Sequence, residues 1–233
     1  MKNVVLVSAS PKINEKSVSK QFLKMAGSQI DGTEFNKTFI DVRKSISSHN
    51  QSEDFDTLSK ADVIIFSFPL YVFCMPGILT RFLVDYYNFC TKNGNTRNHV
   101  KVYAIVNCGF PEPEINLEAV RVIKSFSQHI NASFRFGVLI GGGPMMFAAK
   151  DAPFMKKVVQ KLSDSFSSLA ADLKDENLAE MDSINIGVNF PFSRRLYFFM
   201  GNRGWISMAR KNGLQKRDLY KKPYQLSQPA MSR

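Results

Sequence analysis

A chain of 233 residues, 44% hydrophobic and 22% charged, is long enough to bury a core without disulfides and too apolar to be intrinsically disordered. Its formal charge of +11 is uneven: residues 1–150 hold 17 basic and 12 acidic side chains, 151–180 hold 4 and 6, and 181–233 hold 10 and 2. The excess is mostly a C-terminal property, so it does not describe a nucleic-acid-binding protein as a whole. The chain enters a short apolar run, Val4–Val7, too brief for a secretory signal and suited to a buried strand that turns at Ser8-Ala9-Ser10-Pro11. From Ser17 to about Ala26, Val18, Phe22, Leu23 and Met25 recur at loosely helical spacing, and Gly27 closes the helix. Thr33 to Val42 alternates as a second strand, and Asp54 to Ala61, with Phe55 and Leu58 on one side, suits a short helix. The acidic cluster Glu53, Asp54 and Asp56 fits a first helical turn better than a metal site.

Val63 to Phe68 is the most strand-like segment, and Pro76 occupies a favoured place at the start of the next helix. There Ile78, Leu79, Phe82, Leu83 and Tyr86 recur at helical spacing. Val63 to Val84 carries a single charge, Arg81, and imitates a membrane span. Pro69, Pro76 and Gly77 divide it, so it reads as strand, turn and helix. Val100–Cys108, Leu117 to about Ile130, and Phe134–Ile140 supply a fourth strand, a fourth helix and a fifth strand. Gly141-Gly142-Gly143-Pro144 stops the last, and a fifth helix runs from roughly Pro153 to Leu173. This alternation predicts the α/β class, with a doubly wound, five-stranded parallel sheet carrying helices on both faces. Residues 1–180 form that domain, and residues 181–233 form a basic, aromatic-rich C-terminal extension. In this architecture ligands bind outside the carboxyl ends of the strands, where the strand order reverses.

The loops at those ends carry the chemistry. After the first strand, Ser8 to Ser17 brings hydroxyls, Lys12, Lys16 and free N–H groups to a helix N-terminus. That is an anion site in one reading and a plain Ser17 cap with solvated lysines in the other. It is neither a Walker A loop nor a dinucleotide fingerprint. After the third strand, Phe68 to Gly77 stays apolar and aromatic where a loop should turn polar. That suits the edge of a flat ring, or packing against its own helix or a second subunit.

Paired, Ser8-Ala9-Ser10-Pro11-Lys12 and Pro69-Leu70-Tyr71-Val72-Phe73-Cys74-Met75-Pro76 resemble the NADPH-dependent FMN reductase and NAD(P)H quinone reductase family, flavoproteins of flavodoxin-like fold. Asn107-Cys108-Gly109-Phe110-Pro111-Glu112 resembles that family's third flavin-contacting loop, and the likeness covers roughly residues 1–175. Lys12 stands where the family has arginine and lacks its planar fork, Glu15-Lys16 stands for Gly-Asn, and Val72 for a common tryptophan. The resemblance implies that Ser10, Lys12, Lys16, Ser17 and the Val18 backbone hold the phosphate of FMN. Pro69, Leu70, Tyr71, Val72 and Phe73 would line one side of the ring system, largely through backbone groups, and Asn107, Cys108 and Gly109 its pyrimidine edge or other face.

It further implies an FMN-dependent NAD(P)H oxidoreductase. Hydride would pass from nicotinamide to flavin N5 and on to a quinone, free flavin or other small electrophile. Tyr71 and Asn107 would assist by position or hydrogen bonding. A cytoplasmic homodimer with no nucleic-acid partner and no metal is expected, the three cysteines Cys74, Cys90 and Cys108 lacking metal or disulfide spacing. The rivals are an electron carrier between protein partners, which +11 argues against, and a non-enzymatic flavin-binding sensor. His49, His99 and His129 are scattered and read as surface or structural residues. Cys108 reads as a buried small hydrophobe. In the extension, Ile184 to Phe192 reads as an extended segment and Asn212-Gly213 as a helix stop. Its mixture of arginines, lysines and aromatics is compatible with folding onto the core or a partner, with docking on a membrane surface, and with contact to polyanions.

Overall fold

The structure is a computed structural model that describes residues 1–12, 17–48, 51–93, 99–175 and 184–222. Six strands, β1 (Lys2–Ser8), β2 (Phe35–Asp41), β3 (Val63–Pro69), β4 (Lys101–Asn107), β5 (Ser133–Ile140) and β6 (Ile186–Val188), form one sheet in the order β2-β1-β3-β4-β5-β6. Every neighbouring pair is parallel. The near-continuous apolar runs of β1, β3 and β4 follow from this, because a parallel sheet is covered on both faces and has no solvent side to mark with polar residues. Val5, Val7, Ile64, Phe66, Val102, Ala104 and Val106 pack with residues of α3 (Gln51–Ser59), α4 (Gly77–Asn93) and α5 (Leu117–His129) in one core. Their alternates Val4, Leu6, Ile65, Tyr103 and Ile105 are buried on the opposite face, which carries α1 (Val18–Gln29) and α7 (Lys156–Lys174).

The doubly wound architecture is as expected, but the sheet has six strands, not five. The sixth lies inside the segment assigned to the extension: Ile186, Gly187 and Val188 pair with Val138, Leu139 and Ile140. Three residues are too few to show a period, so the sequence marks this stretch as extended without showing its partner. Two short helices also escape the sequence pattern. In α2 (Val42–Ser47) the Asp41 side chain caps the start by accepting from the Lys44 N–H at 3.3 Å, and α6 (Gly143–Ala148) follows the triple glycine. The acidic residues Glu53 and Asp54 do fall in the first turn of α3.

The amino-terminal half of the sheet is tied to α7 by charge. Arg135 in β5, 4% exposed, donates from Nε and Nη2 to the two carboxylate oxygens of Asp172 at 2.9 and 2.8 Å. The Tyr103 hydroxyl adds a bond to Asp172 at 2.5 Å, and Lys101 Nζ reaches the backbone carbonyls of Asp172 and Asp175. Burial opposes the charged form of Asp172, but the Arg135 and Tyr103 bonds outweigh it and hold the carboxyl below its ordinary value. Burial likewise pushes Tyr103 up, with the Asp172 bond adding to it, so the phenol stays a donor.

Internal contacts divide the chain into Met1–Pro191 and Phe192–Arg233. Taken by itself, the second unit is α8 (Arg194–Lys211) followed by a 3-10 turn over Lys216–Tyr220. Ser193 caps α8 by accepting from the Leu196 N–H at 3.4 Å, and the helix stops at Asn212-Gly213, with Gly213 at φ +72°.

Candidate functional site

β1 leads to β2 on one side of the sheet and β3 on the other, so the strand order reverses between β1 and β3. The loops leaving β1, β3 and β4 converge there on a cavity of about 340 Å³. Ser10, Lys12, Ser17 and Val18 line one part of it, Pro69, Leu70 and Tyr71 a second, and Asn107, Cys108 and Gly109 a third. Three stretches separated by about 50 and about 36 residues of chain are brought together by parallel pairing, which puts every β-to-α loop at the same end. A larger cavity, about 520 Å³, lies at the other end of the strands around Lys2, Glu34, Phe35 and Lys174. There Lys174 and Glu34 pair at 2.8 Å, and ligands of open parallel sheets bind at the carboxyl ends of the strands, so size does not make it the site.

Each wall has a local cause. Ser17 is the N-cap of α1, its Oγ accepting from the Lys20 N–H at 3.3 Å and sharing a hydrogen bond with Ser19 Oγ at 3.1 Å. The capping expectation for Ser17 is therefore met, and the same cap leaves the first turn of α1 lining the cavity through Val18 and Ser19. Ser10 Oγ accepts from the Lys12 N–H at 3.3 Å, which curls the loop after β1. Ser67 Oγ, fully buried, donates to the Ser19 carbonyl at 2.9 Å and locks α1 to β3. Lys16 lies outside the described residues.

On the second wall the Leu70 N–H continues the ladder to the Asn107 carbonyl at 2.8 Å. Tyr71 and Cys74 then exchange backbone bonds at 2.8 and 3.0 Å, leaving Val72 and Phe73 as a two-residue turn with φ +49° and +60°. Positive φ at both positions is the type I′ form, which favours Asn-Gly. The turn faces both side chains away from the cavity: Val72 is 94% exposed, and Phe73, 60% exposed, stacks on Phe110 at 5.8 Å and 19°. These two residues are therefore not brought to the cavity with the rest of their loop. A β-branched residue at φ +49° costs free energy with nothing gained by burial. Val72→Asn is expected to raise unfolding free energy by about 1 kcal/mol, read as a higher urea midpoint at unchanged slope.

Asn107, the last residue of β4, is 4% exposed and lines the cavity, and its side-chain Oδ1 has no hydrogen-bond partner among the described residues. A buried acceptor left unpaired is costly unless a ligand or water completes it. Cys108 is a different case. Its thiol donates to the Phe110 carbonyl at 3.3 Å and accepts from Asn116 Nδ2 at 3.5 Å. Burial pushes the thiol up, and Cys108 is a hydrogen-bonded buried group. The triple glycine holds this wall in place. A Cβ on Gly141 would lie 2.2 Å from the Pro111 carbonyl oxygen, and one on Gly143 would lie 3.0 Å from Asn107 Cβ.

Ser19 and Pro144 complete the cavity and were not picked out by sequence reading. Ser19 carried a signal only as the second hydroxyl of the first helical turn, and Pro144 only as the end of the glycine run. Among the described residues no group of His, Cys, Asp and Glu could hold a metal ion, and no helix is long and apolar enough to cross a membrane. His99 and His129 are exposed and do not line the cavity, and His49 lies outside the described residues.

This geometry defines a doubly wound α/β protein with a cavity at its switch point. A family model for the flavodoxin-like fold matches residues 2–121, and the chain belongs to that family. No curated protein matches the chain. Among solved structures it is similar to an azoreductase from Bacillus anthracis Sterne, at 15% identity and TM-score 0.55, over 74% of this chain and 100% of that one. It is also similar to an NAD(P)H:quinone oxidoreductase from Methanothermobacter marburgensis, at 14% identity and TM-score 0.53, over 75% and 97% of the two chains. A third is an FMN-dependent NADH-azoreductase from Bacillus anthracis Ames Ancestor, solved with FMN, at 15% identity and TM-score 0.51, over 75% and 100%.

Proposed function

We propose that this protein is an FMN-dependent NAD(P)H oxidoreductase acting on a small electrophile such as a quinone or free flavin. The observation that carries the reading is the cavity itself, which joins a polar part at Ser10, Lys12 and Ser17 to walls from the loops after β3 and β4, where the buried Asn107 Oδ1 is unpaired among the described residues. FMN has the matching shape, a phosphate on a flexible arm and a flat ring whose pyrimidine edge carries one N–H donor between two carbonyl acceptors. The names of the similar structures, azoreductase and NAD(P)H:quinone oxidoreductase, point the same way.

Bound there, FMN would supply two-electron chemistry between NAD(P)H and the acceptor. The protein's own part is binding and orientation. Ser10, Lys12, Ser17 and the first-turn N–H groups of α1 hold the phosphate, by hydrogen bonds and by the partial positive charge of a helix N-terminus. The backbone of Pro69, Leu70 and Tyr71 borders the ring on one side and Asn107, Cys108 and Gly109 on the other. Asn107 Oδ1 accepts from the ring and fixes its angle, and Tyr71, 43% exposed, stands where the nicotinamide or acceptor enters. The same reading takes the chain as a homodimer, for which the apolar groove lined by Leu83, Val84, Tyr87, Val122 and Phe126 offers a surface.

The test is to titrate the purified chain with FMN and follow the flavin visible band, then add NADPH or NADH anaerobically, then a quinone. Saturable FMN binding, rapid bleaching by a nicotinamide and recovery with quinone are expected. Failure to bind FMN ends the reading, and bleaching only by a separate reductase converts it to an electron carrier. Asn107→Leu, which removes the acceptor at nearly constant volume, is expected to weaken FMN binding about tenfold.

A further inference from the structure

The second unit concentrates two properties that a soluble surface normally keeps apart. Residues 192–222 hold nine Lys or Arg and one Asp. In the same stretch Phe198, Phe199, Trp205 and Tyr220 are exposed, Trp205 to 62% and Tyr220 to 73%. Exposed aliphatic side chains, Leu196, Met208, Leu214 and Leu219, lie between the cations. Phe198, Trp205 and Met208 recur at helical spacing on one side of α8. The Arg194 guanidinium lies over the Phe198 ring at 5.4 Å and that of Arg203 over Phe199 at 5.7 Å, so cation and ring are held at one depth.

We propose that this unit docks on the surface of an anionic membrane, with α8 lying along the headgroup layer. Charge complementarity selects the occupant: about +8 on a short helical unit meets a negative leaflet, where each surface cation strengthens binding. The rings occupy the layer that Trp and Tyr favour, amphipathic side chains between water and acyl chains. α8 is about 27 Å long and is not apolar enough to span a bilayer, so the contact is peripheral. A polynucleotide would use the cations and stack on the rings, but it offers nothing to the exposed Leu196, Met208, Leu214 and Leu219, whereas the acyl boundary buries them. Interleaving of cations with apolar residues, instead of two clean faces, fits shallow docking at headgroup level. The inference stands independently of the flavin reading.

Trp205 is the chain's one tryptophan, so its emission reports this unit alone. The full chain is titrated with vesicles of neutral phosphatidylcholine, and with the same vesicles containing about 30% phosphatidylglycerol. A blue shift of Trp205 emission and at least about tenfold stronger partition onto the anionic vesicles are expected. By co-sedimentation, Arg203→Gln and Arg210→Gln should each weaken binding about fivefold. Trp205→Ser should weaken it about tenfold with no change in charge. Three results would each overturn the proposal: no binding to anionic vesicles, equal binding to both compositions, or a Trp205→Ser variant that binds as well as its parent. A chain that ignores vesicles but binds polyuridylate would reassign the cations to polyanion contact.

Discussion

Asp172→Ala is expected to lower the unfolding free energy by about 3 kcal/mol, a large fraction of what holds most domains folded. The loss arises because Arg135, buried in β5, keeps its charge and loses the carboxylate that both forks of its guanidinium meet at 2.8 and 2.9 Å. Tyr103 loses its partner in the same step. Urea unfolding measures the effect, and a chain as stable as the parent would remove the cluster from the account of stability. The pH dependence has a definite sign. The Asp172 carboxyl is depressed from 3.8 in the folded chain, so its contribution is fully present above that value and is lost as the pH falls through the folded one. The gap between parent and Asp172→Asn should be flat from neutral pH down to about pH 5 and close progressively below about pH 4. Because the cluster lies on β4, β5 and α7 away from the cavity lining, FMN affinity measured well below the melting temperature should be unchanged.

Gly141→Ala should cost about 2 kcal/mol of stability and weaken ligand binding at the switch-point cavity more than tenfold. A methyl there meets the Pro111 carbonyl oxygen at 2.2 Å and its carbon at 2.8 Å, both backbone atoms that a rotamer change cannot move. The loop after β4 must shift, and Asn107, Cys108 and Gly109 go with it. Gly77→Ala is the control, since nothing lies within 4 Å of its added methyl. It should bind FMN as the parent does and be equal or slightly higher in stability. Equal affinity in Gly141→Ala would show that the glycine run does not position the cavity wall.

Much of the fold was legible because buried parallel strands and amphipathic helices leave different periods in the chain. Val63–Phe68 and Val100–Cys108 read as strands and appear as β3 and β4, while Ile78, Leu79, Phe82, Leu83 and Tyr86 read as the helical face of α4. The short elements α2, α6 and β6 were not, since six or fewer residues hardly complete a period and depend on a cap or an edge for their existence. The loops that line the cavity were legible from the strand–helix alternation, and the roles of their residues only through resemblance to a family. The turn after β3 was not legible. The resemblance puts Val72 and Phe73 beside the ring largely through backbone groups, and only the backbone bonds between Tyr71 and Cys74 show that these two residues form a turn with outward side chains.

By itself, the sequence determined which segments are strands or helices and where the charge lies: the core carries little net charge, and the stretch after residue 181 carries most of the excess. Both are local properties, set by side-chain period and composition. Only the tertiary structure decided the strand order, the meeting of Ser17, Tyr71 and Asn107 around one cavity, and the lack of a partner for Asn107 Oδ1 among the described residues. These depend on which β-strand pairs with which, and on where each loop leaves the sheet. Such long-range pairings exist only once the whole chain has packed.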